Sequence, residues 1–273
     1  MFETVSDTFV RFSVFVAVFA IMALFEVARP RRRLNAPKGQ RWLTNLAIIA
    51  IDSVVVRLMA MVAVPIAAVA AASFAEVQGL GLLNWLAWPP WLETLVAIAA
   101  LDFTIWLQHV ASHKMPMFWR LHQVHHADPD IDVSTGIRFH PIEIAISMLW
   151  KVAVVFVLGP SAFAVFLFEI ILNASSLFSH ANVRLPARLD RVLRAVIVTP
   201  DMHRSHHSVL SHEHNSNYGF NFSIWDKMFG TYTLEPEKGH ENMTIGLSPY
   251  QSDAPTKLTW SLTLPFRPLR KAA

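Results

Sequence analysis

The amino-acid sequence predicts an all-α fold, a multi-pass bundle of transmembrane helices with a cytosolic helical cap. Three observations carry that expectation. Hydrophobic residues make up 53% of the chain and charged residues 16%, against roughly 25% charged in soluble domains. The apolar residues gather into long runs, and about 20 of them in a helix cross the roughly 30 Å hydrocarbon core of a bilayer. In the polar segments the pattern H-x-x-H-H occurs twice, at His122, His125, His126 and at His203, His206, His207, with a spaced pair, His109 and His113, upstream. Residues three and four apart are neighbours on a helix surface, so these segments are expected to be helical too.

The first run covers Phe9 to Ala28, with Glu3 and Asp7 at its start and Arg29, Arg31, Arg32, Arg33, Lys38 and Arg41 after it. That charge order is the reverse of a secretory signal. It puts the amino terminus outside and a juxtamembrane basic cluster, in reach of anionic lipid, on the cytoplasmic side. The second run, Leu43 to about Phe74, carries Asp52 and Arg57, read as charges near the cytoplasmic end that pair with each other or with a neighbouring helix. The loop from Glu76 to Gly81 has no Lys or Arg, and Trp85, Trp88 and Trp91 follow it as an aromatic belt at the outer interface. A third run from Leu92 to His109 returns the chain. The stretch from Ile142 to about Phe178 is too long for one crossing and is interrupted by Gly159-Pro160, which predicts a helical hairpin. The parity brings every histidine cluster to the cytoplasmic face. From Val183 onward the chain is polar enough to form the cap. No repeat or linker divides it, so one domain, 1–273, is expected, with the histidine region at 95–232.

His109 and His113 extend the face of the third crossing, and Pro116 permits a new helix carrying His122, His125 and His126. Thr199 is placed to cap a last helix, Pro200 to occupy its first position and Asp201 to sit at its dipole end, or to hold an imidazole's tautomer. Eight neutral imidazoles exceed the capacity of one ion, since a structural zinc takes about four ligands and a catalytic one three. Two metals are therefore implied. Imidazole suits zinc, copper, nickel or iron alike. A dinuclear site at the mouth of an apolar bundle is placed for substrates that lie in the bilayer, and attack on an unreactive C–H bond needs a redox metal.

Absences narrow the function further. The chain has no cysteine, which excludes thiolate metal sites, iron–sulfur clusters and disulfides. It has no nucleotide-binding glycine motif and no nucleic-acid module, so electrons must come from a separate ferredoxin, cytochrome or reductase. Two other classes compete. A dinuclear zinc hydrolase would mix carboxylates into its boxes, and a metal transporter would line a mid-membrane path with His, Asp or Glu, whereas the runs are read as sparse in such residues, with Asp52, Arg57 and Glu169 the ones singled out.

Six stretches occur in order: H-V-A-S-H from His109, W-R-L-H-Q-V-H-H-A-D-P-D from Trp119, R-F-H-P-I-E from Arg138, L-F-S-H-A-N-V-R-L-P from Leu177, T-P-D-M-H-R-S-H-H-S from Thr199, and N-Y-G-F-N with W-D-K-M-F-G-T-Y from Asn217 to Tyr232. With them the segment Leu101 to Tyr232 resembles the fatty acid hydroxylase and sterol desaturase superfamily of membrane di-iron oxygenases. The resemblance implies two iron ions held by the eight box histidines, O2 as co-substrate, and a fatty acyl, sterol-like or related lipid that is hydroxylated or desaturated; members also cleave ethers. It further suggests His180 as a ligand, while Ser176 stands where some members place one more histidine. His140 belongs to a motif common in one branch, and it also reads as a helix start before Pro141 and Glu143. His212, His214 and His240 fit no box and are expected on the surface or in loops. Asp102, Asp128, Asn182, Asn217 and Asp226 are candidates to receive the outer N–H of a bound imidazole.

Overall fold

Five helices of 18 to 25 residues are long and apolar enough to cross a membrane, and the side chains that cover them are of the kind lipid solvates. Phe9, Phe12, Leu24, Leu43, Leu58, Val157 and Phe163 are all exposed, a surface too large and apolar for water. The protein is an integral membrane protein. The computed structural model describes residues 5–62 and 67–268; Glu3 and residues 63–66 of the expected second run lie outside that range.

The five long helices are α1 (Val5–Ala28), α2 (Lys38–Val62), α4 (Pro90–Lys114), α6 (Pro141–Leu158) and α7 (Ala162–His180), with the short α3 (Ala68–Gln78) and α5 (Pro116–His126) between them. The cap holds α8 (Ala187–Leu193), α9 (Pro200–His206), α10 (Ser211–His214), α11 (Ile224–Met228), α12 (Gly239–Asn242) and α13 (Leu258–Thr263). Among the described residues there are no strands, only isolated bridges such as Pro30 with Val183 and Ser208 with Ile245. The expected hairpin is present: α6 ends on Gly159 in the left-handed conformation and Ser161 caps α7. Gly159 also meets Gly81 backbone to backbone, and a Cβ on Gly81 would sit 2.3 Å from the Gly159 nitrogen.

The expected second run divides. α2 stops at Val62 and Ala68–Gln78 forms a separate helix, too short to cross. Its Ala68, Ala71, Ala72 and Ala75 are buried, and α3 packs on α6 and α7, because alanines let helix backbones approach closely. The pairing expected of Asp52 and Arg57 is also absent. Asp52 is buried, no ion pair joins the two among the described residues, and five positions apart they stand on nearly opposite helix faces.

Half of the basic cluster, Arg31, Arg32 and Arg41, is tied into the fold, while Arg29 and Arg33 are exposed. Arg41 is fully buried and bonds Asp128 at 2.6 Å and Asp132 at 2.7 Å. Arg31 bonds Asp201 at 3.1 Å and Arg32 donates to the Met243 carbonyl at 2.7 Å. Burying a guanidinium is costly unless carboxylates and carbonyls satisfy it, and the loop that follows α5, the first turn of α9 and the end of α12 supply them. These pairs clamp the α1–α2 connection onto the histidine end of the bundle.

Candidate metal centre

The nine histidines of the boxes and of α7 assemble into two groups. His109, His113, His122, His126 and His206 form one, and His125, His180, His203 and His207 the other; within each, the available ligand atoms all lie within 4.8 Å of one another. Helix geometry explains the division. Successive residues turn by about 100°, so positions four apart diverge by only about 40° while adjacent ones point apart. In α5, His122 and His126 therefore face one group and His125 the other. The cluster of α9 is used the opposite way, with His203 and the capping His207 in the second group and His206 in the first. Each group takes an i, i+4 pair from one pentad and the odd histidine from the other. His109 and His113, an i, i+4 pair on the last turns of α4, complete the first, and His180, the last residue of α7, completes the second.

Each helix has an identifiable start or stop. Pro116 opens α5 and Pro200 opens α9, where the Thr199 hydroxyl accepts from the Met202 N–H at 3.4 Å. The outer ring nitrogens are fixed by acceptors. His109 Nδ1–H donates to the Tyr218 carbonyl (2.7 Å), His206 to that of Ser216 (2.6 Å), His125 to that of Arg138 (3.2 Å), His180 to that of Ser176 (2.7 Å), and His122 to the carboxylate of Glu143 (2.6 Å). A carbonyl only accepts, so these imidazoles carry their proton on Nδ1 and present Nε2 as a lone pair.

Those lone pairs converge. His109 Nε2 lies 3.1 Å from Nε2 of both His122 and His206, and His180 Nε2 lies 3.1 Å from His125 and 2.9 Å from His203. No proton is left to bridge His109 with His206 or His125 with His180, so each pair is repulsive unless a cation lies between them. Protonating a ring is no remedy. Burial holds His125, His126, His203, His206 and His207 well below the usual imidazole pKa, and the neighbouring rings add to the effect. Both ring nitrogens of His113 and of His126 are buried without a hydrogen-bond partner. The donor set is that of a metal site, and the two groups adjoin, with the rings of His126 and His207 stacked at 4.6 Å.

The R-F-H-P-I-E stretch braces both groups. The Arg138 carbonyl orients His125, Phe139 stacks on the same ring at 4.4 Å, and Glu143 orients His122. Buried Arg138 is itself held by the Val124 and Pro255 carbonyls and by Asn45, each at 2.8 Å. His140 is the N-cap of α6, accepting from Ile142 N–H and donating to the Leu262 carbonyl at 3.2 Å. It stands in neither group, as its helix-start reading expects. Ser176 also stays out, its hydroxyl donating to the Gly136 carbonyl at 2.9 Å.

Other expectations are corrected. None of Asp102, Asp128, Asn182, Asn217 and Asp226 receives an imidazole N–H; they act one contact further out. Asp226 accepts from Tyr218 N–H, Gly219 N–H and Trp106, thereby holding the carbonyl that orients His109. Asp102 pins Asn221, Phe222 and Trp225, Asp128 binds Arg41, Asn182 binds Arg32, and Asn217 binds the Met202 and Thr233 carbonyls. Asp201 holds Arg31 and Arg204, not a box histidine. His212 is exposed as expected, but His240 is buried with Nε2 2.9 Å from Glu235, and His214 stacks on Trp119 within 6.3 Å of the His113 and His126 rings. The orienting partners that the sequence did not mark are backbone carbonyls, which carry no residue-type signal, and Glu143, whose place in the first turn of α6 hid its second use.

A mostly apolar cavity of about 120 Å³ between α4, α5 and α6 lies one contact away from the first group. Leu107, Ala111, Phe118, Leu121, Ile146 and Trp150 line it, and so does Glu143, the partner of His122.

Comparison with known proteins agrees with this geometry. The ornithine lipid hydroxylase OlsE of Rhizobium tropici is 25% identical over 238 residues, covering 85% of this chain and 70% of that protein. Alkylglycerol monooxygenases are 28% identical over 170 residues in Homo sapiens and 32% over 161 in Caenorhabditis elegans, covering 62% and 56% of this chain. The chain spans only 37% and 30% of those two proteins' lengths. No solved structure matches. Residues 94–231, half the chain and all nine clustered histidines, match the fatty acid hydroxylase family, and the chain belongs to it.

Proposed function

We propose that this protein is an O2-dependent membrane lipid hydroxylase, with one iron ion held by His109, His113, His122, His126 and His206 and a second by His125, His180, His203 and His207. The observation that carries the reading is the convergence of Nε2 lone pairs in two adjoining groups, with an apolar cavity one contact from the first of them. Iron supplies the redox chemistry that oxidation of an unreactive C–H bond by O2 requires and that zinc lacks. Both named relatives insert oxygen into lipids by their names, which favours hydroxylation over desaturation.

The protein's own contribution is positioning. The Tyr218, Ser216, Arg138 and Ser176 carbonyls and the Glu143 carboxylate fix five ring tautomers, so that Nε2 faces inward at no cost on metal binding. The cavity takes a segment of alkyl chain and keeps water from the reacting carbon. The Lys and Arg of the α1–α2 connection support a histidine end that faces the cytoplasm, where a separate protein would supply electrons. Neither group contains a carboxylate ligand, which counts against a dinuclear zinc hydrolase.

The test is elemental analysis joined to product analysis. Protein purified after expression with adequate iron should hold about two irons per chain, and lipids from cells carrying the gene should gain one oxygen, derived from labelled O2. A single metal, or zinc with undiminished activity, would overturn the proposal.

A further inference from the structure

A second concavity, of about 790 Å³, is larger and more polar than the first, whose lining is mostly apolar. Its walls come from Pro30 to Ala36, Pro129, Arg184, Glu241 to Ile245 and Gln251 to Asp253. Two of these walls are bonded to segments that carry the four-histidine group. Arg31 N–H donates to the Asn182 carbonyl at 3.0 Å, two residues beyond His180. The Arg31 side chain bonds Asp201 at 3.1 Å, two residues before His203. Gly246, next to Ile245, donates its N–H to the carbonyl of His207 at 3.0 Å. The apolar cavity, by contrast, meets the five-histidine group through Glu143 and His122. The two groups thus face different surroundings, one apolar and one charged.

Arginines outnumber carboxylates along its lining. Arg31, Arg32, Arg33 and Arg184 line the cleft against the carboxylates of Glu241 and Asp253. Arg31 and Arg32 are tied into the fold and Arg184 shares Glu241, while Arg33 is exposed. A basic, solvent-filled cleft is unsuited to an alkyl chain. It suits a brief encounter steered by charge, of the small kind that electron-transfer proteins make.

We infer that this cleft docks an acidic one-electron donor protein and that electrons enter through the four-histidine group. The inference rests on the oxygenase reading above. Hydroxylation of one C–H bond by O2 consumes two electrons and two protons and releases one water. Two successive encounters, each oxidising one donor molecule by one electron, supply the pair.

The experiment uses iron-loaded protein in neutral-lipid nanodiscs, mixed in a stopped-flow instrument with a reduced plant-type ferredoxin or a reduced soluble cytochrome b5 domain, and separately with dithionite. The second-order rate with the acidic donor should fall about tenfold from low to physiological salt. Arg33→Glu should lower the low-salt rate by a similar factor and Arg33→Lys should retain it, with dithionite reduction the same in all three. A salt-independent rate, an unimpaired Arg33→Glu protein, or no reaction with either donor while dithionite succeeds would each overturn the inference. So would a defect of Arg33→Glu seen only in vesicles of anionic lipid, which would assign the cleft to headgroups. Failure of dithionite to reduce the wild-type protein would overturn the iron reading and this inference with it.

Discussion

At the scale of single residues, Glu143 does the most that its position in the sequence conceals. One carboxylate oxygen accepts the His122 Nδ1–H at 2.6 Å, the other is buried without a partner, and the residue lines the apolar cavity. It is a positioning residue, since the contact fixes the tautomer that leaves Nε2 free. Glu143→Ala should weaken metal retention by about tenfold or more, as loss of such partners does elsewhere. Glu143→Gln, which keeps an acceptor but loses the charge, should fall between the two. Chelator competition on protein loaded with iron, or with cobalt as a spectroscopic stand-in, measures this without reference to turnover. Equal retention by wild type and Glu143→Ala would reduce Glu143 to a wall of the cavity.

At the scale of elements, the short turn over 133–137 holds α7 in register with the metal site. Asp132 and Thr135 form its capping box, and Gly136 lies so close to α7 that a Cβ there would come 2.9 Å from the Ser176 carbonyl and 3.3 Å from His180 Nδ1. That carbonyl is the acceptor that orients His180. Gly136→Ala should therefore cost about 1–3 kcal/mol as overpacking and lower the metal content of the four-histidine group. Gly39→Ala, with open space around it near the start of α2, serves as the neutral control, and thermal unfolding with metal analysis of both variants decides the matter. This element also shows where sequence reading stops. The pentads, Pro116, Thr199 and Pro200 were legible because helix period and capping chemistry are local, and the same period already implies the reciprocal use of α5 and α9. The contact of Gly136 with Ser176 spans 40 positions, and a carbonyl acceptor looks the same in every residue. For that reason Tyr218, Ser216, Arg138 and Ser176 left no mark, whereas the carboxylates that do carry one, Asp102, Asp128 and Asp226, proved to hold backbone and arginine. Arg41 likewise read as a membrane-surface charge because its buried partners Asp128 and Asp132 lie some 90 positions away.

At the scale of the whole molecule, the five spans alternate so that every histidine-bearing terminus reaches one end. α4 and α7 deliver His109, His113 and His180 from their carboxyl ends, and α6 starts there on His140. α2 starts there too, tied by Arg41 to Asp128 and Asp132. The opposite end holds the Gly81–Gly159 contact and Trp85, with the exposed Gln78 close by in the chain. The proposal that the histidine end faces the cytoplasm rests on charge alone, because basic residues flank that end and the loop from Glu76 to Gly81 has none. The absence of cysteine makes the test clean: single cysteines placed at Lys114, Lys238 and Gln78, all exposed, are each the sole thiol in the chain. Membrane-impermeant maleimide should reach the Gln78 position in intact cells and the other two only after the cytoplasmic face is opened. Labelling of all three in the reverse sense would leave the metal centre intact but move the donor cleft outside, and with it the proposed route for electrons. Labelling of Lys114 and Lys238 from opposite sides would be more serious, because α4 and the cap would then lie on different faces of the membrane and His109 could not meet His206.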